Sequence, residues 1–139
     1  MSKQLMKMVA RAIIRKTRKK KTYVLLVRKA SEPDTWELPG GQRKWKESWF
    51  LALLRELEEE LGITIAEVLC EFWREVLLTT THDSSKTVRI RVYAVELAPR
   101  QRPRARSEII ECRWVTLTEL ATLPLERKTK ILLWQFFGL

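Results

Sequence analysis

Between Ser48 and Leu61 the chain sets Phe50, Leu54, Leu57 and Leu61 at steps of four, three and four, a single apolar stripe along a predicted helix. Ser48 is a fair N-cap, and Gly62 falls where a helix usually stops. On a wheel of about 100° per residue, Glu56, Glu59 and Glu60 fill an arc roughly opposite the stripe, with Trp49 and Ala52 among them. One apolar face must be covered by another layer, and the flanking segments read as the strands that cover it.

Ahead of the helix, Met8 to Ile14 and Thr22 to Val27 read as strands joined by a basic turn, Arg15 to Lys21. A punctuated loop, Ser31 to Asp34, then leads into Trp36-Glu37-Leu38-Pro39-Gly40-Gly41. After the helix, Ala66, Val68, Cys70 and Phe72 share one strand face, and Val88, Ile90, Val92 and Ala94 share another, with Arg89 and Arg91 pointing away. Pro99 to Ser107 breaks the pattern and Ile109 to Val115 resumes it. Thr116 to Glu119 has capping-box spacing for a short helix. A last helix runs from Glu126 to Phe137, with Ile131, Leu132, Leu133, Trp134, Phe136 and Phe137 as its apolar half. With no repeat and no linker, residues 1–139 are expected to form a single α/β domain with a mixed sheet.

Composition narrows the function classes. The chain is 45% apolar and 32% charged, as folded globular proteins are. No apolar run approaches the roughly 20 residues that span a bilayer, so no membrane role is expected. The N-terminus has the basic character of a transit peptide but not its serine content, and it runs into a strand, so it reads as mature protein. Cys70 and Cys112 lie in alternating apolar segments and read as small buried hydrophobes in a reducing, cytoplasmic compartment. His82, in the turn-like stretch Thr79 to Ser85, is the only histidine, which excludes a His-ligated zinc site. The net charge is +10; nine of the 27 basic residues precede Thr22, and four arginines crowd into Pro99 to Arg106. Such a surface attracts nucleotides, RNA or acidic lipid headgroups, or simply stays solvated; both readings remain open.

The chemistry lies in the helix. Carboxylates at i, i+3 and i+4 stand close enough to share a ligand, and without one they repel. Acidic helix faces are usually just solvated. Here, however, the chain is otherwise basic, and a Pro-Gly-Gly turn lets backbone approach the cluster. Mg²⁺ is held by such carboxylates together with carbonyls, water and substrate phosphates.

Gly41, Glu47, Arg55-Glu56-Leu57-Glu58-Glu59-Glu60-Leu61-Gly62-Ile63 resembles the Nudix box, G-x5-E-x7-R-E-U-x-E-E-x-G-U with U a bulky aliphatic residue. All nine restricted positions match over 23 consecutive residues, which makes the signal specific. Trp36 to Gly41 resembles the family's lead-in, and Trp114 to Leu120 its late strand and short helix.

The resemblance implies an α/β/α sandwich and a Mg²⁺-dependent hydrolase, with Mn²⁺ as a substitute, that cleaves a phosphoanhydride bond in a nucleoside diphosphate derivative. It implies that Glu56, Glu59 and Glu60 bind the metals with the carbonyl of Gly40, that Arg55 orients a metal-binding carboxylate through a salt bridge, and that Glu47 supports the turn or the outer metal shell. The base would be Glu108, favoured over Glu111 by its place at a loop end, or else the box residue Glu59. Glycine is common in the family before the first box glutamate; here Lys46 stands there, which bears on loop shape.

For the substrate, the downstream stretch Leu77 to Thr81 carries neither the proline of ADP-ribose hydrolases nor the tyrosine of dinucleoside polyphosphate hydrolases. A nucleoside triphosphate is therefore expected, with the triphosphate end of RNA, or a non-catalytic nucleotide- or RNA-binding regulator of the same fold, as alternatives. Trp45 and Trp49, flanking the metal site, are candidates for stacking on a base, and Arg28 for holding a phosphate. Trp36, Trp73, Trp114 and Trp134 fit core or strand positions. The apolar tail, Leu132 to Leu139, offers a homodimer surface if nothing within the chain covers it.

Overall fold

A computed structural model describes residues 5–79 and 86–139, so the stretch holding His82 lies outside the described residues. Strands β1 (Leu5–Arg18) and β2 (Lys21–Lys29) form a hairpin. Apolar alternation ends at Ile14, so the basic residues after it read as a turn, yet the chain stays extended to Arg18. Only Lys19 and Lys20 turn, at φ 51° and 66°. Two consecutive positive φ angles are what a tight two-residue hairpin loop of matching twist requires.

The hairpin does not stay closed. One edge of β1 is taken from Leu5 to Arg15 by β6 (Lys86–Glu96), which runs parallel to it. One edge of β2 is taken from Tyr23 to Lys29 by β7 (Ile109–Thr116). On their remaining edges β1 and β2 meet only between Arg15–Arg18 and Lys21–Val24, and then part. Two further strands fill the opening: β3 (Glu32–Glu37) pairs with β2, and β4 (Gly40–Gln42) pairs with β1 at Val9–Arg11. The loop expected at Ser31 to Asp34 is thus mostly strand, because the free edge of β2 recruits it.

On the far side, β5 (Cys70–Thr79) pairs antiparallel with β6. The strand expected over Ala66 to Phe72 is displaced. Glu67–Leu69 is a 3-10 turn with Val68 almost fully exposed, and the strand starts at Cys70 to match the length of β6.

Helices cover both faces. Helix α1 (Trp49–Leu61) packs Leu53, Leu57 and Leu61 on Ala10, Ala12, Ile14, Leu25 and Val27. Helices α2 (Leu117–Leu120) and α3 (Arg127–Phe137) pack Leu120, Leu132 and Leu133 on Val9, Ile13, Val24 and Leu26. The result is an α/β/α sandwich around a mixed sheet of order β3-β2-β1-β6-β5. The caps form as read: the Ser48 hydroxyl accepts from the Leu51 N–H at 3.1 Å, and Thr116 and Glu119 make a reciprocal box.

The expected stripe on α1 is rotated. Ala52 and Leu53 are fully buried, whereas Phe50 and Leu54 are only half-buried. Truncating Leu53 to alanine is worth about 2–5 kcal/mol at such a site. The rotation carries Glu60, at 2% exposure, into the sheet side of the helix. The apolar tail is also spent internally: Leu132 and Leu133 are buried, and Trp134, Phe136 and Phe137 pack against the same core. The condition on which a homodimer was expected is therefore not met over most of the tail.

Candidate active site

The wedge between β1 and β2 delivers the Pro39–Gly40–Gly41 turn to the side of α1. Gly40 has φ +131°, and a Cβ there would lie 2.0 Å from the Ala10 carbonyl oxygen, so no other residue fits. At Gly41 a Cβ would overlap the Glu56 carboxylate, 2.4 Å away. Both glycines therefore mark where backbone meets the acidic face of the helix.

Each box carboxylate is held differently. Arg55 forks onto Glu47, with Nε to Oε2 at 2.8 Å and Nη2 to Oε1 at 3.0 Å. Its Nη1 donates to Glu56 at 2.9 Å and to Glu59 at 3.4 Å. The fork pulls the Glu47 carboxyl down to about 2, helped by the Lys44 N–H, and the two carboxylates hold Arg55 firmly charged. Arg55 also donates to the Gln42 carbonyl at 3.0 Å, tying helix to turn. Glu59 is half exposed, while Glu56 is largely covered.

Glu60 is the unusual one. Its Oε1 accepts the Gly40 N–H at 2.9 Å. Its Oε2 is buried with no hydrogen-bond partner, the Lys29 ammonium standing 4.0 Å away. Burial pushes its carboxyl up to about 7, against the pull of Gly40, Lys29 and Arg11. A buried carboxylate oxygen without a partner is costly, and a cation beside it would remove the cost.

Two cations here escape sequence reasoning. Arg11 Nη1 donates to the Gly40 carbonyl at 3.2 Å, to Leu38 at 3.0 Å and to the buried Glu37 at 3.3 Å. Lys29 reaches the same Glu37 at 3.1 Å. A charge in the middle of the apolar strand Met8 to Ile14 is the signal that marks Arg11. Together with Lys7, Gln42, Lys86 and Lys128, both line a cleft of about 480 Å³ that opens beside Gly41.

The other predicted residues are less central. Arg28, next to Lys29, points away from the cluster: it pairs with Glu111 at 2.7 Å, donates to the Pro33 carbonyl at 2.8 Å and lies over Trp36. Trp45 is 86% exposed. The guanidiniums of Arg43 and Arg91 both lie over the Trp49 ring, at 5.1 and 4.9 Å. Glu108 is exposed on the loop before β7; its carbonyl accepts from Ala30, and the adjacent Ser107 has φ 56°. The same loop bonds to the end of α1, Arg106 N–H to the Glu60 carbonyl at 2.9 Å. Glu111 is occupied by Arg28, whereas the Glu108 carboxylate has no partner among the described residues.

Among the described residues no three carboxylates already converge as a metal cage: Arg55 engages Glu56 and Glu59, and the Gly40 N–H engages Glu60. The donor set nonetheless fits a hard divalent cation: carboxylate oxygens, one of them buried and unpartnered, beside a backbone turn. An α/β/α sandwich that sets such carboxylates at a glycine turn, with cations lining the adjoining cleft, defines a phosphate-directed hydrolase.

The chain belongs to the NUDIX domain family, whose model matches residues 6–135. A Mycobacterium tuberculosis protein provisionally named 8-oxo-dGTP diphosphatase 2 is 35% identical over 102 residues, 70% of this chain and 67% of its own length. An RNA pyrophosphohydrolase of a Nitratiruptor species is 36% identical over 64 residues, 46% of this chain and 41% of that protein. The NUDIX domain of Shewanella oneidensis NrtR, solved with ADP ribose, superposes with a TM-score of 0.81 over 99% of this chain and 89% of its own; at 21% identity it speaks for the fold. The chain is thus a Nudix hydrolase, of a family that generally uses divalent metal cations, and no described helix is long and apolar enough to cross a membrane.

Proposed function

We propose that this chain hydrolyses a nucleoside triphosphate to the monophosphate and pyrophosphate, with Mg²⁺ as the working cation and Mn²⁺ as a substitute. Water attacks one phosphorus, one P–O anhydride bond breaks, and pyrophosphate leaves. The observation that carries the reading is the unpartnered, buried Glu60 Oε2 at the Gly40 turn, beside a cleft lined by Arg11 and Lys29. Glu56, Glu59 and Glu60, with the Gly40 carbonyl, would hold the cations. When bound, these neutralise the diphosphate and lower the pKa of the attacking water. Arg55 holds Glu56 and Glu59 on the turn, and Arg11 and Lys29 hold phosphate oxygens. Glu108, a loop carboxylate without a partner, takes the water proton in this reading, and Glu59 is the other candidate. A cytoplasmic setting agrees with two free cysteines, of which burial pushes Cys70 up to about 11.

Oxidised purine triphosphates are the first substrates to test, because the Mycobacterium relative carries that name. The triphosphate end of RNA is the second reading, favoured by the Nitratiruptor relative. The test is a screen of nucleoside triphosphates and triphosphorylated RNA with Mg²⁺ and Mn²⁺, products identified by mass. A nucleoside monophosphate plus pyrophosphate is expected; no turnover with either metal, or equal turnover by Glu60→Gln, would refute the assignment.

A further inference from the structure

A larger concavity, about 700 Å³, lies away from the carboxylates. Its wall is built from Arg15, Lys16 and Arg18 at the end of β1, Arg102 from the loop after β6, and Trp114 of β7. Each of the two basic segments that stand out in the sequence thus contributes to one cavity, Arg15, Lys16 and Arg18 from the first and Arg102 from the second. The site is separate from the catalytic cleft. Gly40 pairs with Arg11, and Arg15 lies four residues further along β1, roughly 13 Å at a strand's rise per residue.

The cations here are not neutralised. Among the described residues none of Arg15, Lys16, Arg18 and Arg102 forms an ion pair, and Glu96 is the only carboxylate in the wall. The Nε of Arg15 is buried without a hydrogen-bond partner. Lys16 lies 4.2 Å over the Trp114 ring, and burial with repulsion from Arg18 and Arg102 lowers its pKa. The turn lysines Lys19, Lys20 and Lys21, all exposed, extend the charge beyond the rim. Charge spread over two segments and a pocket suits an extended chain of phosphates better than one phosphate. A membrane surface fits less well, since the site is concave and none of the large exposed apolar side chains lines it.

We infer that this pocket docks the phosphodiester backbone of single-stranded RNA, as a site separate from the metal centre. The inference goes beyond the hydrolase reading and does not need it. Accordingly, the test uses a short fluorescent RNA with a 5′ hydroxyl, which offers no anhydride bond, and the full chain in EDTA. Anisotropy titrations at about 50 and 200 mM salt should give saturable binding, with a log K against log salt slope of about −0.7 per phosphate neutralised, near −3 for four. Arg18→Gln with Arg102→Gln should flatten the slope by about 1.4 and weaken binding about tenfold at the lower salt. The same variant should keep the wild-type melting temperature and hydrolysis of free nucleoside triphosphate. Glu59→Gln should bind RNA as the wild type does. Photocrosslinking of RNA to the wild type, mapped by mass, should land on residues 15–18 and 96–103, and this reading stands even if the double variant does not fold. The inference is overturned by no saturable RNA binding, by unchanged binding in the folded double variant, by crosslinks confined to the catalytic cleft, or by capture on phosphatidylglycerol vesicles without RNA binding.

Discussion

One strand carries two opposite electrostatic designs. Where β1 meets β4, Arg11 is bonded to Glu37 and two carbonyls, Lys29 shares Glu37, and Arg55 serves three carboxylates. Where β1 meets β2, four cations face one carboxylate and no ion pair forms among the described residues. Paired charges in a closed site fix geometry, and chemistry needs that. Unpaired charges on an open site attract polyanions without fixing them, which suits docking. The two ends should therefore break differently when perturbed.

The largest effect belongs to the paired end. Glu60→Gln keeps the shape and the bond from Gly40, but removes the charge that a cation needs. Turnover should fall by about 10²–10³-fold, the scale of losing one electrostatic contact in a preorganised site. Glu58 occupies the free position of the box and is exposed, so Glu58→Gln should change turnover by less than about twofold. Steady-state rates at saturating Mg²⁺ decide this, and equal losses for the two variants would mean that the metal-binding face is misassigned.

A stability effect of the same residue follows from its raised pKa. Unfolded, Glu60 titrates near the ordinary glutamate value; folded and metal-free, near 7. The folded state therefore binds the proton more tightly, and its advantage is complete below about pH 4.5. That advantage is lost as pH rises towards 7, and the buried charge then costs about 3 kcal/mol at most. In EDTA, denaturant unfolding at pH 5 and pH 8 should show this loss in the wild type and not in Glu60→Gln. Added Mg²⁺ should stabilise the wild type more at pH 8, because it binds the ionised form.

These expectations show what was legible. The box spacing names Glu47, Arg55, Glu56, Glu59 and Glu60, and the structure places Glu47, Glu56 and Glu59 on Arg55 and Glu60 on the Gly40 N–H. The apolar stripe predicted a helix but misplaced its face. Leu54 and Leu53 look equivalent to periodicity, and the choice between them is made by the Gly40 N–H drawing Glu60 inward. The strand ends depart from the apolar pattern for a similar reason. Arg15 to Arg18 has no apolar pattern, and it stays extended because β2 and β6 supply partners. The roles of Arg11 and Lys29 depend on the wedge that brings Glu37 between them. Long-range pairing carries no local signature.

Arg55→Lys sharpens the contrast at intermediate size. Lysine keeps the charge but cannot make the fork onto Glu47 while reaching Glu56 and Glu59. A lost orienting contact behind metal ligands costs about 10–100-fold in metal affinity or activity. The Mg²⁺ concentration for half-maximal rate should rise accordingly, and RNA docking at the other end should be untouched. A rate loss that excess Mg²⁺ cannot reduce would instead make Arg55 a direct contact of the substrate.

The smallest effect compares two lysines in the same strained backbone, one at each end. Lys46 has φ 65°, in the loop that enters α1, and Lys20 has φ 66°, in the β1–β2 turn. A residue with a Cβ is disfavoured in that region by roughly 1–2 kcal/mol, and glycine is not, though glycine loses more freedom on folding. Lys46→Gly and Lys20→Gly should therefore each stabilise the chain by up to about 1 kcal/mol, raising the melting temperature by a few degrees. Lys46 makes no ion pair among the described residues and is not a metal ligand, so its replacement should leave turnover and RNA binding alone. Lys20→Gly removes one charge at the rim of the basic pocket, and should reduce the salt slope of RNA binding by up to about 0.7. Equal thermal gains with only Lys20→Gly altering the slope would separate backbone strain from charge. A slope that moves equally in both variants would mean that RNA senses overall net charge, and that the two ends of β1 are not distinct sites.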